Sequence, residues 1–329
     1  MTMNAGIGLV SMDTVRYNPL TASNIYWSIV VPSVTYGVEA IVLTEKEMNI
    51  YENTHIKIAK QLQGLPINTA NSACLAPLGW NNITTIILQR KLMFLWQLLM
   101  LPVDVVYKKI AIIRVCQWLN STLTHKKNNC HSPIWDILNI AERFNLIDHV
   151  MQWLFYGVSV SKSQWKNIVK DVLHRHELEK WRSSCMMYRS LSTFRNVVKV
   201  IKPIKWWILA KNDPYLIRPC ITLVRLLCGN SSLICEKYKD SETCPLCHRA
   251  VQTLQHLLFH CQAVEHLSHQ LNNIIENSNL YGTDLEKIRL ILDSSQFGDR
   301  DCLLILRTIH AIYEMHRDAL KQSSNPRGI

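Results

Sequence analysis

Cysteine and histidine spacing gives the sharpest chemical signal in this sequence. Cys244-Pro-Leu-Cys247 is followed, after eight residues, by His256 and, after four more, by Cys261. Two thiolates separated by two residues can chelate one metal ion from a tight turn, and a His with a Cys five positions on can close a tetrahedron from the start of a helix. Three soft sulfurs and one imidazole suit zinc, and four protein ligands leave no open coordination position, so the spacing predicts a structural rather than a catalytic ion. Other readings of the same residues stay open. His248 and His260 compete as ligands, since Cys244-x2-Cys247-x8-His256-x3-His260 also fits, and a lone Cys-x2-Cys can be a redox pair. The eight-residue spacer is shorter than the roughly twelve of a DNA-reading ββα finger, which argues against groove reading of that kind.

Little else in the chain has the spacing of a catalytic site. There is no adjacent Asp pair, no nucleophile elbow and no phosphate-binding loop. His174 and His176 read as surface residues of a helix. The eleven cysteines form an odd, irregular set. With no basic start and compact apolar run at the N-terminus, they point to a reducing, intracellular setting, nuclear or cytoplasmic. Scattered cysteines such as Cys74, Cys116 and Cys185 are then expected to be small core hydrophobes.

Charge singles out a second feature. Lys and Arg exceed Asp and Glu by 36 to 25 overall, and 17 to 7 within residues 160–250, where nearly all the excess lies. A block of that sign asks for an anionic partner, nucleic acid being the commonest, although a solvated helical surface carries charge in the same way. Arg189, Arg195, Lys199, Lys202, Lys205 and Lys211 are interleaved with Tyr188, Phe194, Trp206 and Trp207, and Arg218 and Arg225 extend the block. Cations beside aromatics suit phosphates and stacking on exposed bases, with low sequence preference, while tryptophans are more often core.

The elements that must position these residues read as helices. Gly and Pro are scarce and Leu and Ile abundant, which predicts a mainly α fold of bundle-like units with a small zinc knuckle in the C-terminal third. Residues 1–24, ending in a turn-like Tyr17-Asn-Pro19, read as a poorly ordered leader. Ile25 to Leu43 approaches membrane-span length but contains Pro32, Gly37 and Glu39, and reads as a buried pair of elements joined near Pro32, with no membrane partner. Thr44-x-x-Glu47 fits a capping box opening a helix that Gly64-Leu-Pro66 stops. Further helices are predicted over about 83–101, 105–119, 133–144 and 147–155, and from Ser161-x-x-Gln164 onward with Trp165, Ile168, Val172 and Leu173 on its apolar face. A helix over 214–228 with Gly229 as its cap, then helices over about 256–277 and 299–321, complete the pattern. The polar run 121–132 reads as a loop. The expected segments are therefore residues 25–120, a basic connector over 133–229, the knuckle with its following helix over 230–277, and C-terminal helices over 278–329.

Two runs resemble a known family. Pro32-Ser-Val-Thr-Tyr36-Gly37-Val-Glu39, then Leu62-Gln-Gly64-Leu65-Pro66, Asn71-x-Ala73 and Leu78-Gly79-Trp80, are similar to the thumb segment just after the catalytic core of non-LTR retrotransposon reverse transcriptases. Arg225-Leu-Leu-Cys-Gly229, with Cys244-Pro-Leu-Cys247 and His256-Leu-Leu-x-x-Cys261, resembles the zinc knuckle near the C-terminus of the same elements. The resemblance implies a grip on RNA template or target DNA. The sequence departs from the family in lacking the aromatic-x-Asp-Asp motif that holds catalytic magnesium, the fingers and palm upstream, and the carboxylates of an endonuclease. It implies a C-terminal portion without its own catalytic site, whose polymerase core would be a partner encoded upstream. The competing expectation is a zinc-stabilised helical protein that binds a protein partner, or the product of a decayed element.

Overall fold

The computed structural model describes residues 17–123, 132–230, 243–278 and 282–324. Among them the secondary structure is helical, with a single antiparallel bridge between Thr243 and Val251 and no strand. The chain is mainly α, as the composition implies. No helix among the described residues is long and apolar enough to cross a membrane.

Local rules set most helix boundaries. Thr44 and Glu47 form the expected capping box, with the Thr44 amide donating to Glu47 Oε2 at 2.8 Å and the Glu47 amide donating to Thr44 Oγ1 at 3.2 Å, and the helix Glu45–Leu62 begins there. Ser161 and Gln164 repeat the device at the start of Lys162–Met186. Ile83–Leu99, Val106–Leu123, Pro133–Arg143 and Ile147–Phe155 follow the predicted helices within a few residues. The helix Ile217–Leu227, preceded by a 3-10 turn over Pro214–Leu216, closes on Gly229 at φ 68°. The Gly229 amide donates to the Leu226 carbonyl and the Asn230 amide to the Arg225 carbonyl, the paired bonds of a Schellman cap.

Several expectations are corrected. Tyr17-Asn-Pro19 is not the end of a disordered leader: the Asn18 side chain accepts from the Leu20 amide at 2.8 Å and Pro19 opens the helix Pro19–Ile25. The rest of the expected leader, residues 1–16, lies outside the described residues. From Tyr26 the chain continues through a π turn, Tyr26–Val30, into Val31–Val34, so two elements meet beside Pro32, which takes a first-turn position; the pair is not wholly buried, since Ile25, Ile29, Tyr36 and Ile41 are exposed. The predicted helix 256–277 is broken at Cys261, whose φ −78° and ψ 115° are extended, so the regular helix is Glu265–Asn277. The helix Asp284–Leu292 is not among those expected, although Thr283 and Glu286 form a third capping box at its start. Of the predicted loop 121–132, residues Ser121 to Leu123 complete the preceding helix and 124–131 lie outside the described residues.

The chain divides into two compact units, one of Ile29–His55 with Asn81–Lys180, the other of Thr2–Ser28, Ile56–Trp80 and Trp181–Ile329. This nested division differs from the linear segments expected. In the first unit one core runs from Leu88 to Leu173 across the 121–132 boundary and takes in Leu92, Leu95, Trp118, Trp135, Ile137, Trp153 and Trp165. Lys91 is buried there with its ammonium on the Asp136 carboxylate and the Ile41 carbonyl, partners that offset the cost of burying the charge. In the second unit Ile217–Leu227 and Glu265–Asn277 both lie against Asp299–Ser324. Gly79, at φ 70°, lets the backbone of Pro203 pass where a Cβ would sit 2.4 Å from Pro203 Cδ.

Candidate metal centre

The residues that bring the four candidate ligands together lie in the second unit. The Thr243–Val251 bridge and a turn, in which the Cys244 amide donates to the Ala250 carbonyl at 2.7 Å and the His248 amide to the Cys244 carbonyl at 2.9 Å, fold Cys244 and Cys247 toward one point. His248 supplies the left-handed residue of that turn at φ 53°, which places it in the backbone geometry and outside the cluster. Thr253 caps the next helical turn, accepting from the His256 amide at 3.0 Å, and sets His256 at its start. The π turn His256–His260 then buries Leu257, Leu258 and Phe259 against Glu265–Asn277 and Asp299–Ser324.

One ligand atom from each of Cys244, Cys247, His256 and Cys261 lies within 4.8 Å of every other. Cys247 Sγ is 3.3 Å from His256 Nε2, and Cys244 Sγ is 3.9 Å from Cys261 Sγ. With metal–sulfur bonds of about 2.3 Å and metal–nitrogen bonds of about 2.0 Å, a regular tetrahedron has sulfur–sulfur edges of about 3.8 Å and nitrogen–sulfur edges of about 3.5 Å. The spacing therefore fits one tetrahedral ion. His260, the arithmetical rival of Cys261, points elsewhere: its Nε2 pairs with Asp284 Oδ2 at 2.6 Å.

The electrostatics fit the same reading. Burial pushes the Cys261 thiol up to about 12, and the neighbouring Cys244 adds to it. Burial also raises the Cys247 thiol, but the Arg249 and Ala250 amides and the adjacent Cys244 thiol outweigh that and leave it net below its ordinary value. Burial and the nearby His260 hold His256 below the usual histidine range, so its ring is neutral and able to donate a lone pair. A divalent cation at the centre would deprotonate the coordinating thiols outright, removing the conflict among three thiols crowded together.

The basic residues have mixed placements. Arg189, Lys199, Lys202, Lys211 and Arg218 are exposed. Arg195 is half-buried and its carbonyl accepts from Lys199 Nζ at 3.1 Å. Lys205 reaches the Phe297 carbonyl at 2.6 Å and the Asp299 carboxylate at 2.9 Å, and Arg225 Nε donates to the Gly64 carbonyl at 2.7 Å. Those two cations are engaged within the unit. Trp206, Trp207 and Phe194 are buried core rather than surfaces for bases, and only Tyr188 of the interleaved aromatics is exposed. His174 and His176 are exposed on their helix, as expected. Cys74 and Cys185 are buried as expected, whereas Cys116 is exposed.

The fold and the cluster together define a helical protein with a Cys3His site able to hold a metal ion. No protein-family model, curated protein or solved structure matches the chain.

Proposed function

We propose that this chain is a zinc-containing, nucleic-acid-binding C-terminal portion of a non-LTR retrotransposon reverse transcriptase, which grips RNA template or target DNA without a catalytic site of its own. The observation that carries the reading is that the Cys3His cluster and the exposed cations Arg189, Lys199, Lys202, Lys211 and Arg218 belong to one compact unit. The donor set of three sulfurs and one imidazole favours zinc over harder ions. Phosphate contacts from dispersed Lys and Arg give affinity without sequence preference. The thumb-like run from Pro32 to Trp80 supports the family, with the polymerase core supplied by a partner encoded upstream.

Titration of the full chain with RNA and with DNA at two salt concentrations tests the reading. Binding that weakens steeply with salt supports it; no binding at low salt, or binding indifferent to salt, would falsify it. A second reading, a zinc-stabilised helical protein serving a protein partner, is favoured by the burial of Trp206, Trp207 and Phe194, which removes the stacking platforms. Tight, salt-sensitive nucleic-acid binding by a monomer that retains no protein partner counts against it.

A further inference from the structure

The helix Val106–Leu123 is apolar on both sides. Its inner face, with Ala111, Val115 and Trp118, belongs to the core of the first unit and lies against Ile83–Leu99 and Pro133–Arg143. Its outer face also carries large apolar groups: Val106, Tyr107, Ile110 and Ile113, with Val103 just before the helix, are between 46% and 71% exposed. Val106, Ile110 and Ile113 stand at i, i+4 and i+7, so they form one stripe two turns long, with Tyr107 beside it. Isolated surface apolar residues need no explanation, but a contiguous stripe of several hundred Å² marks an interaction site.

Charge narrows what can cover it. From Val105 to Trp135 the sequence has five Lys or Arg and no Asp or Glu; Lys108, Lys109 and Arg114 lie on this helix, Arg114 with Nη1 donating to Gln117 Oε1 at 3.0 Å on the same helix, and Asp104 stands just before it. A second copy laid on the stripe would bring Lys109 and Arg114 against the same cations, and like charges at the edge of a helix seam oppose pairing. A lipid surface is also a poor match. Juxtamembrane segments that bind anionic lipid carry about four to eight cations. The helix carries three, and Lys108 Nζ is drawn back to the Leu101 carbonyl at 2.8 Å. The stripe itself is mainly Val and Ile, the β-branched residues that serve as knobs in helix pairs.

We propose that the outer face of Val106–Leu123 docks an amphipathic helix of a partner protein, with an apolar seam on Val106, Ile110 and Ile113 and acidic residues flanking it to meet Lys109 and Arg114. A seam of three side chains two turns long is short beside the about twenty to thirty residues a side of stable complexes, so the contact is transient. This site lies in the first unit and does not depend on the nucleic-acid reading.

The test uses the full chain and fluorescein-labelled three-heptad helical peptides with a Leu and Ile seam, one set flanked by Glu and one by Lys, followed by anisotropy. The Glu-flanked peptide is expected to bind at least about tenfold more tightly than the Lys-flanked one, and to weaken with salt. Ile110→Asp, at an exposed position, is expected to remove binding while the circular dichroism and melting temperature stay unchanged. Lys109→Glu combined with Arg114→Glu is expected to reverse the preference between peptides. Equal binding of the two peptides, no binding of either, or full binding by a folded Ile110→Asp chain overturns the proposal. Two other results also overturn it. One is sedimentation with vesicles of equal phosphatidylcholine and phosphatidylserine in the absence of peptide binding. The other is concentration-dependent dimerisation that Ile110→Asp abolishes.

Discussion

Cys247 Sγ lies 3.3 Å from His256 Nε2, a contact between the two arms of the cluster that sets a thiol and an imidazole where adjacent corners of a metal tetrahedron would fall. Metal analysis is therefore expected to find one zinc ion per chain. Cys247→Ser and Cys261→Ser should each lose it, whereas His260→Ala should keep it, because His260 pairs with Asp284 and not with the cluster. Zinc retained in Cys261→Ser and lost in His260→Ala would reassign the fourth ligand.

His55 should make stability sensitive to mild acid. It is fully buried, its Nε2 is 3.0 Å from the Asn81 carbonyl, and burial lowers it from 6.5 to about 4. The unfolded chain takes up this proton near pH 6.5 and the folded chain only near pH 4, so stability falls as pH drops through that window and levels off below it. The loss is at most about 3 kcal/mol. Urea midpoints measured across pH for the wild type and His55→Gln check it, the variant giving the flatter curve.

Glu177 should act in the opposite sense. Burial raises its carboxyl and the nearby Glu52 adds to that, against the Asn82 amide and the Thr85 side chain that accompany it at the start of Ile83–Leu99. A raised carboxyl favours the folded state while protonated and loses that contribution as pH climbs above 4.5 through the folded value. Glu177→Gln keeps an acceptor for the Asn82 amide and removes the buried charge. It is expected to be neutral or to stabilise by about 1 kcal/mol at pH 7, whereas Glu177→Ala, which leaves that amide unpaired, destabilises. Chemical denaturation at pH 7 separates the two.

Gly79→Ala is expected to cost about 2–4 kcal/mol, because the residue is left-handed and its new Cβ would overlap Pro203, whose backbone cannot swing aside. A melting temperature equal to the wild type would show that the two segments separate freely.

Surface and core of the basic block should respond differently. Arg189→Ala, Lys199→Ala and Lys202→Ala are each expected to weaken RNA and DNA binding alike and to lower the salt slope by about one, with unchanged melting. Trp206→Ala is expected to cost about 3–5 kcal/mol of stability, since that side chain is core. Affinity measured below the melting point of each variant distinguishes these effects.

Short-range signals are the legible part of the fold. Thr44 with Glu47, Ser161 with Gln164 and Gly229 each act within a few residues, so their helix ends can be read directly. Thr283 with Glu286 is the same kind of signal, but the sequence around it has no long apolar period to draw the eye to a helix. Asn18-Pro19 misleads because the same dipeptide serves turns and helix starts, and only the following backbone decides. The four ligands are readable because all lie within eighteen residues. What sequence does not yield is contact made at a distance. Lys205 finds Phe297 at 92 positions and Arg225 finds Gly64 at 161, and those pairings turn two apparent phosphate contacts into internal braces.

Leu257, Leu258 and Phe259 are strung between two ligands, His256 and Cys261, and all three are buried among the C-terminal helices. An ion held by the cluster would thus tether both ends of a hydrophobic plug. Chelation should release more than a local turn, letting the plug withdraw and leaving Glu265–Asn277 and Asp299–Ser324 to face water where it had been seated. Sensitivity of the C-terminal helices to protease after chelation would report that withdrawal.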